Sequence, residues 1–403
     1  MISKNTNILI FSLLIISIKW FFSYYYYDES LDVKIIFDSV TDGKYYFPFI
    51  KYLSDLNFNQ TFDPEIINLN IIPLPIGGIF LHSFLFKLLG FSSFIVMEFI
   101  CLFLFIYIFT NIFRFIFNFN DNLSILLSVL IFLSPIIIKN TFLNDFQFIK
   151  IFSDNIYNFR VPRPMISNLY FFGFVLVLLK MNYKKFYKFK YFFFLGLLSG
   201  LSLSSFYYHF FIELTFFFII IIKKFKKNIF FEIRNKIKYF ILGISIFLVV
   251  ITPFIFNLYL HEDEYTYRQC IFNISFIQKI ELIKYFINKY LTIKFLFVIL
   301  LLTFSCFYIN KCFQSDKTIS NTFFALFLAS IISPILFILI SNKSCVMYHF
   351  VNLIILNGII YLLIIISILI KNFSILKINK ILYFFFSIIL IGTFIFGESK
   401  NYQ

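Results

Sequence analysis

Residues 93–117 read SFIVMEFICLFLFIYIFTNIFRFIF and contain one acidic residue, Glu98, and one basic residue, Arg114. A helix needs about 20 consecutive apolar residues to cross a bilayer, and this stretch is long enough. The whole chain of 403 residues shares this character, since 61% of its residues are hydrophobic, 14% are charged and the mean hydropathy is +0.90. Soluble domains have roughly 45–50% apolar and about 25% charged residues. The composition excludes a cytosolic enzyme, a disordered tail protein and a secreted disulfide scaffold, and it predicts an all-α, polytopic integral membrane protein.

Apolar segments along the chain predict about eleven membrane-spanning helices. Nine of these segments are single runs, with approximate limits at Asn7–Tyr27, Ser93–Phe117, Leu123–Lys139, Ile166–Leu179, Tyr239–Leu260, Thr292–Ile309, Ser320–Ile340, Phe350–Ile370 and Ile381–Phe396. The run Tyr191–Ile222 is longer than one span and has a polar cluster, from Ser202 to His209, at its middle. We interpret it as two short spans joined by a tight turn near Ser205, because residues beyond the bilayer core can satisfy a turn that lipid cannot.

The segment Ile71–Leu89 determines which way the spans face. It is apolar enough to cross, but prolines, glycines, a histidine and a lysine interrupt it. If it lies on the outer surface as an interfacial helix, and the N-terminus is cytoplasmic, the lysine-rich loops all face the cytoplasm, as the positive-inside rule requires. These loops are Lys180–Lys190, Lys223–Lys238, Lys311–Lys317 and Lys371–Lys380. If the segment crossed the membrane instead, the pattern would be inverted.

The net charge of +15 is therefore interpreted as a property of the cytoplasmic face. Basic loops at that face contact anionic lipid headgroups, so the charge gives no support to a nucleic-acid partner. The expected localisation is the bacterial inner (cytoplasmic) membrane, as a multi-pass protein with a cytoplasmic N-terminus.

The polar segment Asp28–Asn70 is rich in acidic residues and makes up most of a predicted outer loop, residues 28–90. Long loops without secondary structure of their own tend to carry function. A second outer segment ends in Arg160-Val-Pro-Arg163-Pro164, directly before a span. A carboxylate can act as a general base toward a hydroxyl, and an arginine fork binds phosphate in a bidentate manner. This combination beside lipid favours transfer of a group from a lipid-linked phosphate to a hydroxyl acceptor.

Two stretches of the outer loop carry a resemblance to a known family. They are Asp42-Gly43-Lys44-Tyr45-Tyr46, with apolar residues at helical spacing after it, and the surface helix from Leu74-Pro75 to Gly90. Together with the Gly196…Gly200 hairpin, this order resembles the GT-C glycosyltransferases, such as aminoarabinose and protein mannosyl transferases. Those polytopic enzymes use polyprenyl-phosphate sugars as donors and carry a catalytic aspartate in the first outer loop, often as D-E-x-x-Y. Gly43 stands where the second acid of that motif often lies.

The resemblance covers roughly Asn7–Ile222 and implies a catalytic module in residues 1–222, followed by variable transmembrane helices in residues 223–403. It implies that Asp42 is the general base, with Asp28 and Asp38 as alternatives. The expected donor is a polyprenyl-phosphate sugar, and the acceptor is a lipid or a glycan of the cell envelope. The candidates for binding substrate or lipid phosphate are Tyr46, Arg160, Arg163, His209 and Lys343.

Two acidic residues lie inside or near predicted spans, where ionisable groups are expensive and usually functional. Glu98 is near the outer end of its helix, so we expect it to snorkel or to face a lumen. Glu213 follows His209 by one helical turn, and residues at this spacing share a helix face. They either line a cavity as a pair or neutralise each other's charge.

Two other classes of function stay open. A transporter or flippase for a lipid-linked glycan predicts internal repeats and charges at the middle of the bilayer. A relative without catalysis would serve as a membrane assembly partner. The five cysteines are scattered and suggest neither a zinc site nor a disulfide framework. Nucleotide-binding and zincin motifs are missing. The sequence identifies no cofactor with certainty and leaves a divalent-cation requirement open.

Overall fold

The computed structural model describes residues 3–26, 43–56, 76–117, 119–141, 156–183, 187–225, 229–260, 275–290, 293–312, 317–338 and 380–401. Every regular element within these ranges is an α-helix. In chain order the helices are α1 (Lys4–Tyr26), α2 (Gly43–Ser54), α3 (Ile76–Leu89), α4 (Ser92–Phe117), α5 (Asp121–Lys139), α6 (Ser167–Tyr183), α7 (Phe189–Phe225), α8 (Ile229–Asn235), α9 (Ile237–Leu260), α10 (Phe276–Tyr290), α11 (Ile293–Cys312), α12 (Lys317–Ile338) and α13 (Lys380–Asn401). The prediction of an all-α polytopic protein is confirmed in this respect.

Among the described residues, seven helices are long and apolar enough to cross a membrane, namely α1, α4, α5, α7, α9, α12 and α13. Helix α6 is apolar but shorter, as is α3. The predicted span Phe350–Ile370 lies outside the described residues. The membrane class therefore follows from the length and composition of the helices, while the number eleven stays a prediction.

The chain divides into two compact units, one formed by Met1–Phe172 with Ile370–Gln403 and the other by Gly173–Leu369. In the first unit, α4 packs against α1, α3 and α5, and α13 packs against α1 and α5. The ring centroids of Phe105 and Phe109 on α4 lie 6.2 and 4.8 Å, respectively, from the ring centroid of Phe172. The core of this unit is thus formed by aromatic side chains of helices that are apolar on most of their surface.

Helices α2 and α3 pack against each other beside the beginning of α4. The helical spacing predicted after Asp42 is confirmed, since Ile50 and Leu53 of α2 are buried and Lys51 is exposed. A helix forms from Ile76 to Leu89, and residues 71–75 of the predicted surface helix lie outside the described residues. Its location on the membrane surface stays a prediction. The helix ends at Gly90, whose φ of +58° lies in the left-handed region that glycine adopts without strain.

In the second unit, α7 is a helical hairpin. Its helical backbone is interrupted at Phe206, with φ −137° and ψ 82°. The ring centroids of Phe192 and Phe217 are 6.4 Å apart, whereas 25 residues of straight helix would separate them by about 37 Å. The two antiparallel arms, and the turn predicted near Ser205, are therefore confirmed.

Helix α9 packs closely on the first arm of α7. A Cβ atom on Gly196 would collide with the backbone carbonyl of Gly243, and one on Gly200 would lie 2.8 Å from Val250. Small residues at a four-residue spacing allow the backbones of membrane helices to approach each other in this way. The two glycines thus determine how α7 and α9 pack.

Candidate functional site

The first unit contains a buried ion pair between two of its long apolar helices. Nζ of Lys19 on α1 lies 2.5 Å from Oε1 of Glu98 on α4, and the two side chains are 7% and 1% exposed. Trp20 Nε1 donates a hydrogen bond of 3.0 Å to the other carboxylate oxygen. Glu98 therefore faces neither solvent nor headgroups, and the expectation that it snorkels or faces a lumen is wrong. Removing two charges from water is costly, which makes this pair a candidate for function.

The position of the pair along both helices indicates where a site would lie. Glu98 is six residues after the beginning of α4, and Lys19 is seven residues before the end of α1. At 1.5 Å per residue, the pair lies about 10 Å from both ends. These are the two ends between which the predicted outer loop runs in the sequence, so the ion pair belongs to the loop side of the bundle.

A non-helical segment, residues 156–166, covers the ion pair. The ring centroid of Phe159 lies 4.6 Å from Lys19 Nζ, and that of Trp20 lies 4.8 Å from it, so the ammonium group makes two cation–π contacts. Tyr157 is buried more deeply, with its ring centroid 4.5 Å from that of Phe105. Phe105 is about 20 Å along α4 from Ser92. Irregular backbone at membrane depth occurs where it is enclosed by protein or lines a cavity, and the buried side chains of this segment show that it is enclosed by protein.

Polar contacts hold the ends of this segment. Asn168 of α6 donates a 2.8 Å hydrogen bond to the carbonyl oxygen of Ile156. The peptide bonds Val161–Pro162 and Arg163–Pro164 are both cis. The Tyr157 side chain is only 1% exposed, and its hydroxyl has no hydrogen-bond partner within the part of the chain that the structure describes.

The two predicted arginines lie in the same segment as Phe159. Arg160 follows Phe159, the residue that covers Lys19, and is exposed, while Arg163 is half-buried in the same segment. The backbone N–H of Arg160 donates a 2.9 Å hydrogen bond to Asn158 Oδ1. Arg160 is thus one residue away in the chain, and Arg163 four residues away, from the side chain that contacts the buried Lys19.

The helices next in sequence to the predicted catalytic aspartate form a packed platform. The ring centroid of Phe47 on α2 lies 5.9, 5.5 and 6.2 Å from the ring centroids of Phe86, Phe91 and Phe94, respectively. Tyr46 is half-buried on α2. The predicted catalytic residues Asp28, Asp38 and Asp42, and the predicted binding residue Lys343, lie outside the described residues.

Helix α3 carries a buried histidine within this platform. The His82 ring is fully buried, 4.2 Å from the Phe94 ring, and neither nitrogen has a hydrogen-bond partner among the described residues. Burial lowers the pKa of His82 to about 3, so the ring is neutral. Tyr170 of α6 donates a 2.9 Å hydrogen bond to the Gly77 carbonyl, which joins α3 to the helix that begins after the arginine segment.

The second unit has its own polar cluster at the turn of α7. Ser202 donates a 2.7 Å hydrogen bond to Glu213 across the hairpin. His209 is buried and lies edge-on to Phe206 at 4.9 Å, but no hydrogen bond joins it to Glu213 among the described atoms. The expected His209–Glu213 pair is therefore wrong. We assign this cluster a structural role, because the Ser202–Glu213 hydrogen bond joins the two arms.

Sequence reasoning missed Lys19, Trp20 and Phe159 as parts of a site. One signal was available, since Lys19 and Glu98 are ionisable residues of opposite sign in apolar spans, and such residues usually pair. Within the described residues, no group of three or more His, Cys, Asp or Glu side chains could hold a metal ion. No family model matches this chain, and none of the curated proteins compared with it is similar in sequence. Its function must therefore be inferred from the residues of the site.

Proposed function

We propose that this chain is an integral membrane glycosyltransferase that moves a sugar from a polyprenyl-phosphate donor to a hydroxyl of a lipid or envelope glycan on the outer face. The observation that carries the proposal is the Lys19–Glu98 ion pair beneath the segment that bears Arg160 and Arg163. Such a site combines apolar walls, which suit a polyprenyl chain, with cations that suit its phosphate.

The proposed chemistry assigns one role to each group. A loop carboxylate, Asp42 or else Asp28 or Asp38, accepts the proton of the acceptor hydroxyl. The oxygen then attacks the anomeric carbon in line, and the bond from that carbon to the phosphate oxygen breaks. The electron pair leaves with the lipid phosphate, whose charge Arg160 and Arg163 stabilise.

The buried cluster supports this chemistry by fixing the arginine segment. Lys19 holds Phe159 through the cation–π contact, and Glu98 holds Lys19 and Trp20. Lys19 and Glu98 are thus positioning residues. Because these groups are ordered by packing before a ligand arrives, binding requires little additional ordering.

A transporter for a lipid-linked glycan is the second candidate, and the presence of charges within apolar helices favours it. The location of the ion pair, about 10 Å from the loop side of α1 and α4, favours the enzyme. A transporter site is expected near the middle of the bilayer.

Mass spectrometry of envelope lipids and glycans from a deletion strain tests the proposal. We expect a glycan or lipid that lacks one sugar, and its restoration by the wild-type gene. Arg160→Gln, which removes a guanidinium group proposed to hold the lipid phosphate, should restore less product, whereas Arg234→Gln on the exposed surface of α8 removes the same charge elsewhere and serves as the control. Accumulation of a complete lipid-linked glycan on the cytoplasmic side would instead support the transporter.

The proposed orientation has a separate test. Single cysteines replace Lys226 or Glu262 in a cysteine-free chain, and an impermeant reagent is added to intact cells. We expect labelling at position 262 and none at position 226. Labelling at 226 would reverse the orientation and, with it, the outer-face site.

A further inference from the structure

The second unit contains a cationic cavity far along α7 from its turn, with a volume of about 160 Å³. It lies between the end of α6, the end of the second arm of α7 and the beginning of α12. Its lining residues are Asn182, Ile220, Lys223, Lys224, Thr318 and Asn321. None of these six described side chains is acidic, so the cavity has a net positive charge.

Hydrogen bonds and a ring contact hold the two lysines in place. Lys224 Nζ donates to the carbonyl oxygen of Asn182 at 3.1 Å. Asn182 in turn donates a 2.8 Å hydrogen bond to Thr322, and the hydroxyl of Thr322 donates to the Thr318 carbonyl at 2.7 Å. Lys223 Nζ lies 4.0 Å from the centroid of the Phe324 ring. Residues of three helices thus position the two ammonium groups at the cavity.

The remaining wall adds neutral donors and a helix terminus. Thr318 and Asn321 lie in the first turns of α12, a helix of 22 residues, whose N-terminal end carries a partial positive charge. Hydroxyl, amide and ammonium donors therefore surround one space, and that combination matches the oxygens of a phosphate group.

Apolar surface lies immediately beside the cavity. Phe324 is 41% exposed, and Phe218 and Ile222 on α7 are 53% and 57% exposed. In a membrane protein such surface meets acyl chains. Basic pockets between membrane helices at the cytoplasmic side bind the headgroups of anionic phospholipids, and this end of α7 belongs to the predicted cytoplasmic face.

We propose that Lys223 and Lys224, with Asn182, Thr318 and Asn321, form a phosphate-binding site at the predicted cytoplasmic face, separate from the proposed catalytic site. The ligand is a phosphate ester or free phosphate. The site holds the hairpin α7 against α6 and α12 when it is occupied, because the ligand contacts residues of all three helices.

The test uses the full chain in two settings. In nanodiscs of phosphatidylcholine with phosphatidylglycerol, native mass spectrometry counts the phosphatidylglycerol molecules retained after release. In detergent, thermal unfolding is followed as inorganic phosphate is added. The variant Lys223→Gln/Lys224→Gln removes both charges, and the matched control Lys190→Gln/Lys238→Gln removes two exposed charges outside the cavity. A charge-conserving variant, Lys223→Arg/Lys224→Arg, shows whether loss of binding reflects charge or misfolding.

We expect wild type, the control and the arginine variant to bind, and the first glutamine variant to bind about tenfold more weakly or less. Retention of phosphatidylglycerol identifies a lipid headgroup as the source, whereas stabilisation by inorganic phosphate without lipid retention identifies free phosphate. Equal binding by the two glutamine variants, or no binding of either probe by wild type, overturns the proposal. Loss of binding in the arginine variant as well overturns it too, since arginine preserves the charge.

Discussion

Lys19 and Glu98 are 79 residues apart in the sequence, yet they form an ion pair of 2.5 Å that joins α1 to α4 inside an apolar bundle. The pair carries the proposed function because it holds the segment that bears the arginines. Its removal should therefore affect both stability and activity.

Breaking the Lys19–Glu98 pair from one side should be strongly destabilising. Lys19→Met or Glu98→Gln leaves the partner without its counter-charge, at an expected cost of about 3–5 kcal/mol. The double variant should recover part of that loss. Thermal unfolding of wild type, the two single variants and the double variant in detergent measures these losses of stability. Asp121→Asn is the control, because its pair with Arg114 is 43% exposed on both sides and contributes at most about 1 kcal/mol. Equal effects at the two pairs would contradict a special role for Lys19 and Glu98.

Asp42→Asn should reduce product formation by about 10²–10⁴-fold, because the amide keeps the size of the side chain but cannot accept the proton. Restoration of the envelope product in the deletion strain measures this. Asp55→Asn is the matched control, since Asp55 is exposed and pairs with Lys87 at 2.8 Å. Full activity in Asp42→Asn would move the base to Asp28 or Asp38. Full activity with all three replaced would defeat the loop-carboxylate mechanism.

Arg163→Ala should weaken retention of a polyprenyl phosphate, because it removes a charge-assisted contact worth roughly 1.5–3 kcal/mol. Arg163→Lys should recover part of the affinity, since lysine has the charge but not the planar fork. Binding of polyprenyl phosphate to purified protein measures both. Arg234→Ala, on the exposed surface of α8, removes the same charge elsewhere. If Arg234→Ala weakens binding as much as Arg163→Ala, the effect is one of overall charge.

Gly196→Ala should destabilise the α7–α9 packing by about 1–3 kcal/mol, because the new methyl group collides with the backbone of Gly243 and the helices must separate. Gly392→Ala is the control within α13, where an added Cβ meets nothing within 4 Å. That change should be neutral or slightly stabilising, since alanine favours a helix. Thermal unfolding compares the two, and a loss at Gly392 as large as at Gly196 would contradict the close approach.

His82 should make the protein less stable in acid. Burial holds its pKa at about 3, below the ordinary value of 6.5. The unfolded chain therefore binds a proton between these values that the folded chain does not. The stability contributed by the neutral ring is present above pH 6.5 and is lost as pH falls toward 3, by up to about 1.4 kcal/mol per pH unit. His82→Leu should reduce the slope of unfolding temperature against pH in this window. Identical slopes in variant and wild type would rule out His82 as the cause.

Local patterns were sufficient for much of the fold. The amphipathic helix after Asp42, the helix that ends at Gly90 and the turn near Ser205 all depend on residues within one or two helical turns, and each is present. The location of the second helix on the membrane surface stays a prediction. The expectations for Glu98 and for the His209–Glu213 pair were wrong for the opposite reason. Glu98 was expected to snorkel or to face a lumen, but it binds Lys19 of α1. Glu213 was expected to pair with His209 on its own helix, but it accepts a hydrogen bond from Ser202 of the facing arm.

The sequence by itself determined that this is a helical membrane protein, because only continuous apolar helices satisfy the backbone in lipid and their lengths can be read directly. It also predicts Arg160 and Arg163 as phosphate-binding residues from their chemistry, and this stays a prediction. Only the tertiary structure decided that Phe159 covers Lys19, that Tyr157 lies within the bundle and that Lys223 and Lys224 share a cavity with Asn182. Contacts of this kind join side chains far apart in the chain, and apolar helices that all resemble one another contain no local signal for which neighbour each will meet.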